Sequence, residues 1–229
     1  MKHFAGFLLC LLILPHADAQ FVKAVGLNIG TTIANQSWRN IRGDQVLRKD
    51  YAQGTYASMN AEFLKGKYLT IVTEFEYAQK GCREGLPVVI INLPKGFSTY
   101  KIFDTRFNYF SSALVIKLRF ENRFWIPYVF GGGRLDKLIS YSSDINFQPL
   151  EKYMNEKIWG MDYGFGAEYK FSIGGVSAEF RHHYDFDNLL DVPYSDNYSG
   201  LEVKNNAYIF NIGIKYYFKN KKRIIVKPS

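Results

Sequence analysis

From residue 162 to residue 169 the chain alternates at every step: Tyr163, Phe165, Ala167 and Tyr169 fall on one face, Asp162, Gly164, Gly166 and Glu168 on the other. A period of two is that of an extended strand, whereas a helix would mix the two sets around its circumference. Seven further segments carry the pattern, at about 22–31, 56–64, 68–78, 104–120, 125–135, 175–184 and 204–218. In the third of these, Leu69, Ile71, Thr73, Phe75 and Tyr77 alternate with Thr70, Val72, Glu74, Glu76 and Ala78. In the last, Tyr208, Phe210, Ile212, Ile214, Tyr216 and Phe218 alternate with Ile209, Asn211, Gly213, Lys215 and Tyr217. One side of each strand is oily and the other polar or small.

A soluble sandwich or carrier barrel also alternates, so the two faces have to be assigned. The oily sets are broad and aromatic, and the opposite sets hold Asn28, Asn60, Glu62, Glu74, Glu76, Lys117, Glu168, Glu179, Arg181, Asn211 and Lys215. In a transmembrane barrel such polar sets point into the lumen and the oily sets meet lipid. The connections favour that arrangement. Lys65-Gly66-Lys67, Glu121-Asn122-Arg123-Phe124 and Ser172-Ile173-Gly174 are short, whereas 32–55, 79–103, 136–157 and 185–203 run to about twenty residues each, in strict alternation. Tight periplasmic turns and long outer loops produce this asymmetry. Aromatics also gather at the strand ends: Phe63, Tyr68, Phe120, Phe124, Trp125, Tyr169, Phe171, Tyr216 and Phe218 at the short-turn end, and Tyr77, Phe107, Trp159 and Tyr184 near the long loops. Two interfacial girdles are expected from them. The fold class is therefore all-β: an eight-stranded antiparallel up-and-down transmembrane barrel with four long outer loops and three short periplasmic turns. The Val88-Val89-Ile90-Ile91 stretch either extends the second outer hairpin or adds strands, which would make ten.

Composition changes the picture mainly at the two ends of the chain. Residues 1–19 have the three zones of a secretory signal: basic Lys2 and His3, an apolar run over 4–14, and a small-residue Ala17-x-Ala19 cleavage site. That apolar run is well short of the ~20 residues a spanning helix needs, and no run of even eighteen apolar residues follows it. Helices are thereby excluded as the way this chain crosses a membrane. Removing 19 of the 229 residues leaves 210, enough for one barrel domain over 20–218, followed by a basic tail over 219–229. Cys82 is then the sole cysteine, which excludes an intramolecular disulfide. The net charge of +8 comes from solvated loops and the tail, and export argues against a nucleic-acid partner.

Several motifs resemble a known family. Tyr77-Ala78-Gln79-Lys80-Gly81 ending a strand, Asn108-Tyr109 opening the apolar segment that ends in Ala113-Leu114-Val115-Ile116-Lys117, Gly164-x-Gly166-x-Glu168-Tyr169, and Ser177-Ala178-Glu179-Phe180-Arg181-His182-His183-Tyr184 are similar to the PorT-like outer-membrane β-barrel proteins common in Bacteroidetes. The likeness spans 20–218. It implies an outer-membrane barrel, recognition by the barrel-assembly machinery through a terminal aromatic such as Phe218, and, from the family's name-giving member, a link to a secretion and gliding apparatus. Two features depart from the family: Ala113 stands where a proline is common, and eleven residues follow Phe218.

Catalytic chemistry finds little support. His182 and His183 are neighbours on a strand and face opposite sides, so they cannot share a metal, and no Cys, Asp or Glu with ligand spacing accompanies them. Neither has a serine two residues away, the arrangement of lipid A deacylase barrels. Asp185 and Asp187 near His183 resemble only faintly the acidic sites of rim proteases. Gly131-Gly132-Gly133 lacks the Lys-Ser/Thr and the helix of a phosphate cradle, and small residues in a barrel strand more often relieve crowding at a bend. Eight strands enclose only enough room for side chains, so Glu62, Glu74, Glu76, Glu168 and Glu179 are expected to meet Lys117, Arg181 and Lys215 in a structural lumen network.

The expectation is a monomeric, non-enzymatic outer-membrane barrel of a Gram-negative bacterium, with no cofactor, catalytic residue or metal. Its expected partners are outer-membrane lipid, the assembly machinery and an envelope or secretion component. A small porin or transporter is the first alternative, and a soluble periplasmic lipocalin-like binder the second.

Overall fold

The computed structural model describes residues 22–43, 45–63, 68–89, 98–120, 122, 124–144, 148–195 and 198–218. The expected signal sequence over 1–19, the tail over 219–229 and the Lys65-Gly66-Lys67 turn lie outside these residues, as does the end of the Val88–Ile91 stretch. Ten strands are hydrogen-bonded in one sheet: β1 (Val22–Asn40), β2 (Gln45–Arg48), β3 (Asp50–Phe63), β4 (Leu69–Val89), β5 (Ser98–Arg119), β6 (Trp125–Ser143), β7 (Lys157–Lys170), β8 (Gly174–Asp185), β9 (Leu190–Ser195) and β10 (Tyr198–Tyr217). All pairings are antiparallel between neighbours around the sheet. β1 also pairs with β10, from Ala24↔Tyr217 to Asn40↔Leu201, and this closes the sheet on itself.

Ten strands make a ring of eight because two of them are continuations. β2 and β3 follow the same side of β1, interrupted at Lys49, whose amide still donates to the Gln36 carbonyl at 2.9 Å. β8 and β9 likewise follow the same side of β10, interrupted over 186–189. Closure leaves no open edge in the ring and satisfies the main-chain groups within the sheet, the condition for a β-structure to cross a bilayer. No helix among the described residues is long and apolar enough to cross one. The sole helical element described is a 3-10 helix, Gln148–Tyr153, between β6 and β7.

The two faces are separated as a membrane barrel requires. Phe165 and Ile212 are 60% and 61% exposed on the outside, whereas Glu74 and Lys215 are 1% and 6% exposed inside. A soluble carrier has the reverse arrangement.

Strand ends differ from the sequence expectation. β4 and β5 have 21 and 22 residues, against the ~9–11 that cross a bilayer, and they stay paired from Leu69↔Leu118 to Val89↔Ser98. Much of what reads as outer loop is therefore continuous hairpin. The polar residues that end the alternation in the sequence do not end the ladder, because backbone pairing to a long neighbour continues it. Phe107 also departs from its expected place in the outer girdle. Its side chain turns inward and is buried, while Tyr77, Trp159 and Tyr184 stay outside. At the other end Tyr68, Phe120, Phe124, Trp125, Tyr169, Phe171, Tyr216 and Phe218 are all exposed. Cys82, expected in an outer loop, sits within β4 with its thiol turned inward, donating to Gln36 Oε1 at 3.1 Å.

Candidate functional site

The interior of the ring is the chemically distinctive part of the molecule. Towards the short-turn end, Lys215 on β10 donates to Glu62 and Glu168 at 2.5 and 2.8 Å. Arg119, the last residue of β5, reaches the same two carboxylates at 2.9 and 3.3 Å. Next comes a mixed layer. Lys117 and the Tyr128 hydroxyl both donate to Glu179 Oε1, at 2.9 and 2.7 Å, and the Lys117 ammonium lies 4.9 Å from the centre of the Tyr128 ring. Val72, Val115 and Phe130 pack beside Tyr128, so this part of the lumen is filled by apolar groups as well as ions.

Arg181 links that layer to the one beyond it. Its Nη2 donates to Glu179 Oε2 at 3.3 Å, and its Nη1 contacts Glu74 Oε2, Glu76 Oε1 and Asp162 Oδ2. Farther out, Arg134 donates to Asp136, Asp162 and Asp185 at 2.5, 2.8 and 2.6 Å, and Lys80 donates to Asp136 and Asp185 at 2.8 and 2.9 Å. All these side chains are buried. Charge-assisted bonds of this length are the strong ones, and removal from water makes each partner necessary to the others.

Above the ions lies an apolar cap. Phe107 and Tyr109 of β5, Ile158 of β7, Leu189, Leu190, Val192 and Val203 form one buried cluster, with Trp38, Leu150 and Tyr153 packed against it. The excursion over 186–189 supplies Leu189 to this cluster, and β9, paired along β10, supplies Leu190 and Val192.

The eight residues singled out from the sequence, Glu62, Glu74, Glu76, Lys117, Glu168, Glu179, Arg181 and Lys215, all lie inside the ring and within this set of contacts. Sequence reasoning missed Lys80, Arg119, Arg134, Asp136, Asp162, His183 and Asp185 as members. For Lys80 and Arg119 the signal was present, since they continue the inward phase four residues beyond Glu76 and two beyond Lys117. For Arg134 and Asp136 it was masked, because the inward phase of β6 begins with Ile126, Tyr128 and Phe130.

The histidines separate as their adjacency requires. His182 faces outward, with Nδ1 2.5 Å from the Tyr163 hydroxyl and Nε2 bonded to Asn206. His183 faces inward and is fully buried, with Nε2 3.4 Å from Glu76 Oε2 and 3.5 Å from Asp162 Oδ2. The ligand spacing absent from the sequence is thus assembled from three strands: Asp162 and His183 are register partners on β7 and β8, and Glu76 arrives from β4. Asp185 shares the inward face of β8 with His183 but pairs with other groups, and Asp187 lies on a different surface. Asp185 is enclosed by Lys80 and Arg134, while Asp187 accepts the Trp159 amide at 2.8 Å on the outer side. Gly131-Gly132-Gly133 runs inside β6 with no helix after it, and a Cβ on Gly132 would stand 2.0 Å from the Leu114 carbonyl oxygen.

A closed, eight-membered, antiparallel ring with an ion-filled interior and an oily exterior defines the fold class of the small outer-membrane β-barrels. OprG of Pseudomonas aeruginosa aligns over 88% of this chain and 99% of its own at 10% identity, with a TM-score of 0.50. AlkL, solved in lipid bilayers, aligns over 91% and 95% at 11% identity, with a TM-score of 0.51. Neisserial surface protein A covers 85% of this chain and 99% of its own at 12% identity and a TM-score of 0.46. At these identities the likeness is one of fold. No protein-family model matches the chain, and no curated protein does.

Proposed function

We propose that the protein is an integral outer-membrane β-barrel whose lumen is closed by its own side chains, and that it acts without catalysis, in envelope structure or by binding through its outer hairpins. One observation supports this reading: among the described residues the interior holds two groups of ion pairs, a mixed layer with aromatic rings between them and an apolar cluster at the long-loop end. A solute pathway through eight strands would need that space. The surfaces left to meet a partner are the hairpins that stand beyond the bilayer, β4–β5 foremost. Attachment to a secretion apparatus rests on the PorT-like motifs of the sequence, and co-purification of secretion components with the membrane-extracted protein is its test.

Planar-bilayer recording tests the closed lumen. The purified protein is expected to give no steady single-channel conductance. A stable open level overturns the reading in favour of a small porin or transporter.

A further inference from the structure

The outer group of lumen charges does not balance. Near the short-turn end, Glu62, Glu168 and Glu179 face Lys117, Arg119 and Lys215, three against three. Beyond them, Glu74, Glu76, Asp136, Asp162 and Asp185 face only Lys80, Arg134 and Arg181, leaving two carboxylates in excess among the described residues. Buried charge without compensation is costly, so this layer is balanced either by protons held on two of its carboxylates or by a further source of positive charge.

The same layer contains one imidazole with no hydrogen-bond partner. Both ring nitrogens of His183 are buried and unbonded, as is Glu76 Oε2. The separations from His183 Nε2 to Glu76 Oε2 and Asp162 Oδ2, 3.4 and 3.5 Å, are long for hydrogen bonds. They match the edge of a coordination tetrahedron, ~3.4 Å when the metal bonds are ~2.1 Å long. The remaining carboxylate oxygens are held elsewhere: Arg181 takes Glu76 Oε1, and Arg134 takes Asp162 Oδ1 at 2.8 Å. Such outer contacts orient ligands in metal sites. Arg181 Nη1 also stands 3.5 Å from Asp162 Oδ2, a repulsive neighbour for a cation that the surplus of carboxylates offsets.

We propose that Glu76, Asp162 and His183 bind one divalent cation inside the barrel, of the first-row transition class that accepts a mixed imidazole and carboxylate set. Its two positive charges equal the deficit of the layer. The site is enclosed, so the ion enters as the barrel forms and joins strands β4, β7 and β8.

The test is to extract the full chain from membranes, and separately to refold it from urea into detergent with Zn2+, Co2+ or no metal. After dialysis, metal content is measured by mass spectrometry and Co2+ ligation by visible absorption. Folding of each sample is followed by heat-modifiable gel mobility. About one metal per chain is expected, as is a higher unfolding temperature in its presence. His182→Asn retains the metal, whereas His183→Gln weakens binding beyond the ~10–100-fold that an outer contact is worth. Should His183→Gln fail to fold, paramagnetically shifted imidazole protons in Co2+-loaded His182→Asn protein support the site, and their absence overturns it. Sub-stoichiometric metal in wild type, or equal binding by folded His183→Gln, overturns it as well.

Discussion

Arg119 illustrates how far each lumen residue depends on its partners. It donates to Glu62 and Glu168 from full burial, and Lys215 contacts the same two carboxylates. Replacing it removes one of two cations from that group while both anions stay desolvated. Arg119→Met is expected to lower stability by about 3–5 kcal/mol, measured by urea unfolding in lipid vesicles, and Arg119→Met with Glu62→Gln recovers part of the loss. Cys82 makes a second prediction at this scale. It lies beyond the ~9–11 residues that cross the bilayer, and burial pushes its thiol up to about 12. A raised value means the folded barrel keeps the thiol protonated at pH 8, and the thiolate is the nucleophile. Maleimide is expected to label Cys82 in urea but not in the folded protein at that pH; equal labelling rates would contradict its burial. Membership of the interior was legible for residues such as Glu74 or Lys215, whose neighbours alternate cleanly. It was not legible for Phe107, whose aromatic type suits the girdle and the interior equally.

At the scale of the strand, alternation is local, so the existence and facing of the eight strands could be read along the chain. Lengths could not, because the upper part of β5 is held by its pairing with β4 and β6 rather than by its own pattern. Strand β7 carries a further constraint. Gly164 and Gly166 stand in register with Phe130 and Tyr128 of β6, and the missing side chains leave room for those rings inside the barrel. A Cβ on Gly164 would lie 2.1 Å from the Phe180 carbonyl oxygen and 2.8 Å from Phe130 Cζ. Backbone cannot yield as a flexible side chain can. Gly164→Ala is therefore expected to cost about 1–3 kcal/mol in the same urea titration, and a neutral result would show that β7 and β8 can separate without penalty.

For the whole molecule, the charges that matter to stability are enclosed by the ring, away from counterions. Salt screens exposed pairs within about 10 Å at 0.1 M but reaches buried pairs far less. Unfolding free energy is expected to change by less than ~1 kcal/mol between 0.1 M and 1 M NaCl; a steep loss would mean that bulk water and ions enter the lumen. By itself the sequence determined the β class, the oily outer face, the polar inner face and the asymmetry of short and long connections, since all four are written in near-neighbour order along the chain. Only the tertiary structure decided that β2 and β9 extend two of the eight walls, that Leu189, Leu190 and Val192 join the apolar cap, and that Glu76, Asp162 and His183 meet. Those outcomes depend on ring closure and on the stagger between strands, which set who faces whom across the lumen. No local period encodes that distance.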